Sequence, residues 1–279
     1  MGTLLAVIRN LENSANFIGY AIRLGRDLMK VVHVYYIEEA YEYTLGQPPA
    51  PDDYTGEKQS RRMMNAERSL KTLVEKVLEE LPGDALVESS ADLGSPSELI
   101  NDRIKSDLDD LVVLNGDEPA NFILQNTSND EVIDEITSPV LIVPENAVYT
   151  PFYRIVYASA FRERDVLALK FLVHHLSVLN PSIRVVHVEG KPTGEELGVM
   201  RFDELLQKET GYPDISVENL SEERRKSLVS QVKEFSSRID ADLIAFLRED
   251  RNFFEKIFTR DKAKEFLRAS GLPVLVFKP

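Results

Sequence analysis

The chain has 279 residues, 43% of them hydrophobic and 29% charged, which is the balance of a soluble globular protein with room for two cores. It has no cysteine, so disulfides, thiolate metal sites and a cysteine nucleophile are excluded. A formal charge of −14 without a dense Lys/Arg stripe argues against nucleic acid and against anionic membrane surfaces, and reads as solubility.

The first apolar segment, Leu4–Ile8, predicts a strand almost at the start of the chain. No basic leader with a long apolar stretch precedes it, so no signal peptide is expected. Apolar runs such as Leu4–Ile8 and Val140–Val143 are far too short to span a bilayer. Asn13 or Ser14 can cap a helix whose apolar stripe runs through Phe17, Ile18, Ala21, Ile22 and Leu28. Lys30–Ile37 is β-branched and nearly continuous, as in a strand buried on both faces of a parallel sheet. Segment 38–57 carries Pro48, Pro49, Pro51 and the tyrosines Tyr41, Tyr43 and Tyr54, and reads as a long surface loop. Arg61–Leu81 is a strong amphipathic helix, stopped by Pro82-Gly83. A third strand, Ala85–Ser90, is followed by Ser95-Pro96-Ser97-Glu98, which reads as a capping box with proline at the first helical position. That helix runs to about Lys105. A fourth strand at Asp110–Leu114, a helix at Asn121–Ile136 and a fifth strand at Val140–Val143 complete the unit.

Turn residues from Pro144 to Pro151 separate this unit from a second with the same order of elements. Its strands are Arg154–Ser159, Ile183–Val188, Ile215–Asn219, Asp242–Leu247 and Pro273–Phe277. Its helices are Asp165–Leu179, one capped by Ser221 that runs to about Ile239, and Phe253–Ala269. Gly190–Gly194 reads as a loop, and no helix is assigned between it and Ile215. The string Val-Val-His-Val stands in the second strand of both units, at Val31–Val34 and Val185–Val188. Two copies of one α/β module are thus expected, at residues 1–147 and 152–279, each a doubly wound, Rossmann-like parallel sheet of five strands.

His33 and His187 lie inside these strands and read as satisfied core histidines. His174 and His175 are adjacent on a helix and point about 100° apart, which makes a metal pair improbable. Arg248, Arg251, Lys256 and Arg260 cluster near the second crevice, balanced by Glu249, Asp250, Glu255 and Asp261, and read as a solvated face. No nucleophile elbow, Walker loop, His-Glu-x-x-His or dinucleotide glycine fingerprint is present.

Taken in order, certain strings resemble a tandem universal stress protein. They are Val-Val-His-Val in each copy, Gly94-Ser95-Pro96 before a helix, Tyr157-Ala158-Ser159-Ala160-Phe161, Asp242-Leu243-Ile244, and a closing Pro-Val-Leu strand in each copy. The resemblance covers nearly the whole chain. It implies a cytoplasmic stress-response protein whose two copies pack as an internal pseudo-dimer, with a protein partner or a further homodimer left open. In that family, members that bind ATP carry an aspartate after the first strand. They also carry Gly-x-x-Gly, nine residues and Gly-Ser/Thr after the fourth, where bare glycines let N–H groups approach phosphate at a helix N-terminus. This sequence departs from both signatures. In copy one the aspartate position is Arg9, the loop is Asn115-Gly116-Asp117-Glu118-Pro119, and only Asn126-Thr127 resembles the Gly-Ser/Thr step. In copy two the aspartate position is Ala160, the loop Leu247–Asn252 has no glycine, and Asp261 falls near the Ser/Thr position. A carboxylate facing a triphosphate is repelled by about 1 kcal/mol at about 4 Å in water, and by several-fold more where solvent is excluded.

Three classes of function follow. The favoured one is a stress-response regulatory or interaction protein with degenerate nucleotide motifs and no bound cofactor. The second is a sensor that binds ATP, AMP or a small anion in domain 1 only, using Arg9, Asn10, Asn115, Gly116, Asn126 and Thr127. The third is a nucleotide hydrolase, for which no catalytic residue stands out, nor any metal site.

Overall fold

Strands such as Thr3–Ile8 and Val140–Val143 are apolar on both faces, which commits them to the interior of a parallel sheet. A computed structural model of the chain describes residues 2–38, 56–104, 111–116, 135–144, 147–188, 197–220, 228–247 and 270–278. The chain divides into two units, Met1–Tyr149 and Thr150–Pro279. In the first, β1 (Thr3–Ile8), β2 (Val31–Glu38), β3 (Val87–Leu93), β4 (Leu111–Asn115) and β5 (Val140–Val143) lie in the order β3-β2-β1-β4-β5, with every pairing parallel. Three helices are described between them: α1 (Ala15–Asp27), α2 (Gly56–Glu80) and α3 (Pro96–Arg103). The second unit repeats the scheme with β6 (Arg154–Ala158), β7 (Ser182–Val188), β8 (Ile215–Leu220), β9 (Leu243–Leu247) and β10 (Val274–Phe277), ordered β10-β9-β6-β7-β8 and again parallel. Its described helices are α4 (Glu163–Leu176), continued by a 3-10 turn at Ser177–Leu179, α5 (Val199–Thr210) and α6 (Leu228–Arg238).

In both sheets the strand order reverses between the unit's first and fourth strands. A crevice opens there at their carboxyl ends, the usual ligand position of a doubly wound sheet. Thus β1 and β4 end on Ile8 and Asn115 in the first unit, and β6 and β9 end on Ala158 and Leu247 in the second. The segments assigned from sequence to the last helix of each unit, 121–136 and 253–269, lie almost wholly outside the described residues, as does the Pro/Tyr segment 39–55.

Several local expectations are corrected. Ser14 and Ser95 occupy N-cap positions, but neither side chain caps its helix. The Ser14 hydroxyl turns back to the Asn10 carbonyl. Ser95 Oγ sits 3.2 Å from Ser97 Oγ, and Ser97 in turn donates to the Glu135 carboxylate, so the expected capping box with Glu98 does not form. In the second unit, α5 occupies a stretch to which the sequence reading gave no helix. Phe202 and Leu206, one turn apart, are its fully buried residues, and Gly211 ends it in the left-handed region at φ +58°.

One glycine is held by space rather than by turn geometry. A Cβ on Gly25 of α1 would lie 2.1 Å from Cγ2 of Val32, a fully buried, β-branched neighbour on β2. Gly25→Ala therefore trades a helix-propensity gain of about 1 kcal/mol for an overpacking cost of about 3 kcal/mol. The expected net loss of about 2 kcal/mol is read as faster hydrogen exchange in β1 and β2.

Candidate functional site

In the second unit the described wall of the crevice is the segment Tyr157–Asp165, from the end of β6 into the first turn of α4. Tyr157, wholly buried, donates its hydroxyl to Asp165 Oδ1 at 2.9 Å. The other carboxylate oxygen of Asp165 accepts from Ser159 Oγ at 2.9 Å and from the backbone N–H groups of Ala160 and Arg162, each at 3.1 Å. Asp165 stands at the third position of α4, and its own N–H returns to the Arg162 carbonyl at 3.0 Å, which closes the cap in both directions. The amides of the turn that follows β6 are thereby taken by an internal carboxylate. Burial raises the Asp165 pKa above the ordinary carboxylate range, against the lowering effect of the hydrogen bonds it accepts.

The same turn fills the space above the sheet. Phe161 has left-handed backbone, φ +55°, an unusual conformation for an aromatic residue. It is held there by its N–H on Ser159 Oγ at 2.9 Å and by its carbonyl, which accepts the Leu197 N–H at 2.8 Å. Its ring stacks on His187 at 4.4 Å and on Phe202 at 4.7 Å, and it is almost fully buried. An aromatic plug and a carboxylate that accepts four donors therefore occupy the turn after β6. Arg248, Arg251, Lys256 and Arg260 lie outside the described residues.

In the first unit, the β1–β4 register pairs Val7 with Leu114, which brings Arg9 and Gly116, each two residues further on, to the same carboxyl edge. Arg9 is 9% exposed and Asn115 is 7% exposed, so a cation and an amide are both drawn into this edge. Asn10 serves its own turn: Oδ1 accepts the Glu12 N–H at 2.8 Å. The Gly116 N–H extends the β4–β5 ladder by donating to the Val143 carbonyl at 2.8 Å. Asn126 and Thr127 lie outside the described residues. Of the six residues expected to line this crevice, Arg9 and Asn115 are the described pair whose side chains are drawn in.

The two strand histidines are only partly covered, yet both are hydrogen-bonded. His33 Nε2 lies 2.8 Å from Ser90 Oγ, and His187 Nδ1 donates to the Ser159 carbonyl at 2.9 Å. Beside His33, Tyr35 donates to Asp92 at 2.8 Å, and Arg103 binds the same carboxylate while its guanidinium covers the Tyr35 ring at 4.7 Å. Burial holds the His33 pKa below its ordinary value and the Arg103 cation pushes the same way, against Glu88 and Asp92. The unfolded chain therefore binds a proton at His33 more readily than the fold does. The resulting stability is complete above pH of about 6.5 and is lost as pH falls through the lower native value. His33→Gln should flatten this slope in acid titrations of the first unit, followed by hydrogen exchange in β2 and β3.

His174 and His175 meet edge to face at 5.3 Å, and the His175 ring lies tilted against Phe171 at 4.0 Å. Among the described residues no cluster of His, Asp or Glu could hold a metal ion, and no helix is long and apolar enough to cross a membrane.

Sequence reasoning missed Asp165 and Asp242. Asp242 Oδ2 accepts the N–H groups of Tyr153 and Arg154 at 3.1 and 2.8 Å, which fixes the start of β6. For Asp165 the signal was present, since a carboxylate in the first turn of a helix can accept the free N–H groups that precede it.

No protein-family model matches the sequence, and neither does any curated protein. Solved structures do. A universal stress protein from Archaeoglobus fulgidus DSM 4304 superposes with a TM-score of 0.60 at 18% identity, over 99% of this chain and 96% of that one. A putative universal stress protein from Pseudomonas aeruginosa UCBPP-PA14 gives 0.52 at 14% identity, over 100% and 93%. A functionally unknown protein from Pseudomonas aeruginosa PAO1 gives 0.50 at 14% identity, over 99% and 92%. Along nearly its whole length, the chain has the universal stress protein fold.

Proposed function

We propose that the chain is a regulatory or interaction module of the universal stress protein type, in which the second unit has given up nucleotide binding. The observation that carries this reading is the Asp165 carboxylate, which takes the Ala160 and Arg162 amides while Phe161 fills the adjoining space. No catalytic role is assigned, and the output is read as contact with another protein in the cytoplasm.

A second reading, a small-anion or AMP sensor in the first unit, is favoured by one feature: Arg9 is drawn into the carboxyl edge beside Asn115. Calorimetric titration of the full chain with ATP, AMP and inorganic phosphate separates the two. The interaction-module reading predicts no saturable heat from any of the three. Saturable AMP or phosphate binding that Arg9→Gln weakens by about tenfold or more establishes the sensor instead.

A further inference from the structure

Away from both crevices, α1 and α2 leave a cavity of about 310 Å³ in the first unit, closed on one side by Ala147, Val148 and Tyr149. That volume lies at the small end of ligand pockets, enough for a compact metabolite. Val77, Leu81 and the ring of Tyr20 give it an apolar wall, and Tyr149 meets Tyr20 edge to face at 5.1 Å.

Two opposite charges also line it, Arg23 and Glu80. Arg23 stands over the bare backbone of Gly19, since a Cβ built there would lie 3.7 Å from its Nη1. The natural acidic partner of Arg23 on its own helix is Asp27, four residues on. Asp27 is turned elsewhere: it accepts the Tyr149 hydroxyl at 2.7 Å and lies 3.6 Å from Arg26. Among the described residues, neither Arg23 nor Glu80 has an ion pair or a hydrogen-bond partner, although both reach the same cavity. A half-buried guanidinium without a counter-charge leaves its planar fork of donors open to a carboxylate. Glu80, on α2, repels a phosphate dianion and attracts an ammonium group.

We infer that this cavity binds a small zwitterion with an apolar body, of α-amino-acid chemistry. The carboxylate lies on Arg23, the ammonium faces Glu80, and the body packs against Val77, Leu81 and the two tyrosines. The site is distinct from the crevice reading above, because Arg9, Asn10, Asn115 and Gly116 are not among the residues that line it.

The test uses the full ¹⁵N-labelled chain and four probes: L-phenylalanine, 3-phenylpropionate, phenethylamine and inorganic phosphate. L-Phenylalanine should shift the amides of Gly19, Tyr20, Arg23 and Val77 saturably. Arg23→Gln should weaken that binding by about tenfold or more, and should weaken 3-phenylpropionate equally. Glu80→Gln should weaken L-phenylalanine but leave 3-phenylpropionate unchanged. Both side chains are at least partly exposed, so unchanged amide signals in β1 and β2 would show that the variants fold. Absence of saturable shifts with L-phenylalanine, tighter binding of phosphate than of L-phenylalanine, or undiminished binding by a folded Arg23→Gln variant would overturn the inference.

Discussion

Asp165→Ala is expected to destabilise the second unit by about 4 kcal/mol, whereas Asp165→Asn costs about 1 kcal/mol. The alanine variant strands four donors at once: the buried Tyr157 hydroxyl, the Ser159 hydroxyl and the N–H groups of Ala160 and Arg162. Each buried donor left without an acceptor costs about 1–3 kcal/mol, reduced where water can enter. In the asparagine variant the amide oxygen takes the place of Oδ2 and keeps its three donors, while the amide nitrogen can donate to the Tyr157 oxygen. The sign of the pH effect follows from the raised native pKa of Asp165. The fold binds that proton more tightly than the unfolded chain, so its contribution is complete below pH of about 3.9 and is lost as pH rises through the native value. Asparagine does not ionise, and the gap between the asparagine variant and the parent should narrow as pH rises. Hydrogen exchange in β6, β7 and β9 reads both variants without requiring the two units to unfold together. An alanine variant that loses less than about 1 kcal/mol would show that the carboxylate is not the organiser of this turn.

Phe202→Ala should cost about 3–5 kcal/mol, the usual range for removing a fully buried phenylalanine. Phe202 and Leu206 are the buried residues of α5, and Phe202 also backs the ring of Phe161. Its loss should therefore release α5 and unseat the plug while the β6–β7 pairing persists. The expected pattern is fast amide exchange across Val199–Thr210 with protected amides at Tyr157 and Val185. Retained protection in α5 would mean that the helix is held by contacts other than its two buried residues.

The strands were the most legible part of the sequence. β1, β4, β5 and β9 are short, almost wholly apolar runs, and few other environments suit such runs than a sheet covered on both faces. Cap chemistry was less legible. Ser14, Ser95 and Glu98 stand at capping spacings, but the two hydroxyls turn to Asn10 and Ser97 instead, and Ser97 is itself engaged by the distant Glu135. Helix α5 was hidden because only one face of it is apolar and it follows a stretch rich in glycine. The Phe202–Leu206 spacing and Gly211 were its signals. At the site, sequence could show that Ala160 lacks a carboxylate. It could not show that Asp165, five residues on, swings back to bind the same turn, because that depends on Phe161 adopting left-handed backbone.

The amides of Ala160 and Arg162, at the carboxyl edge of the second unit, are already satisfied from within. The amide resonances of Ala160 and Arg162 in the ¹⁵N-labelled full chain, recorded while ATP is added, test this most directly. The account predicts that both signals stay in place at every ATP concentration. Saturable movement of the two together would contradict it.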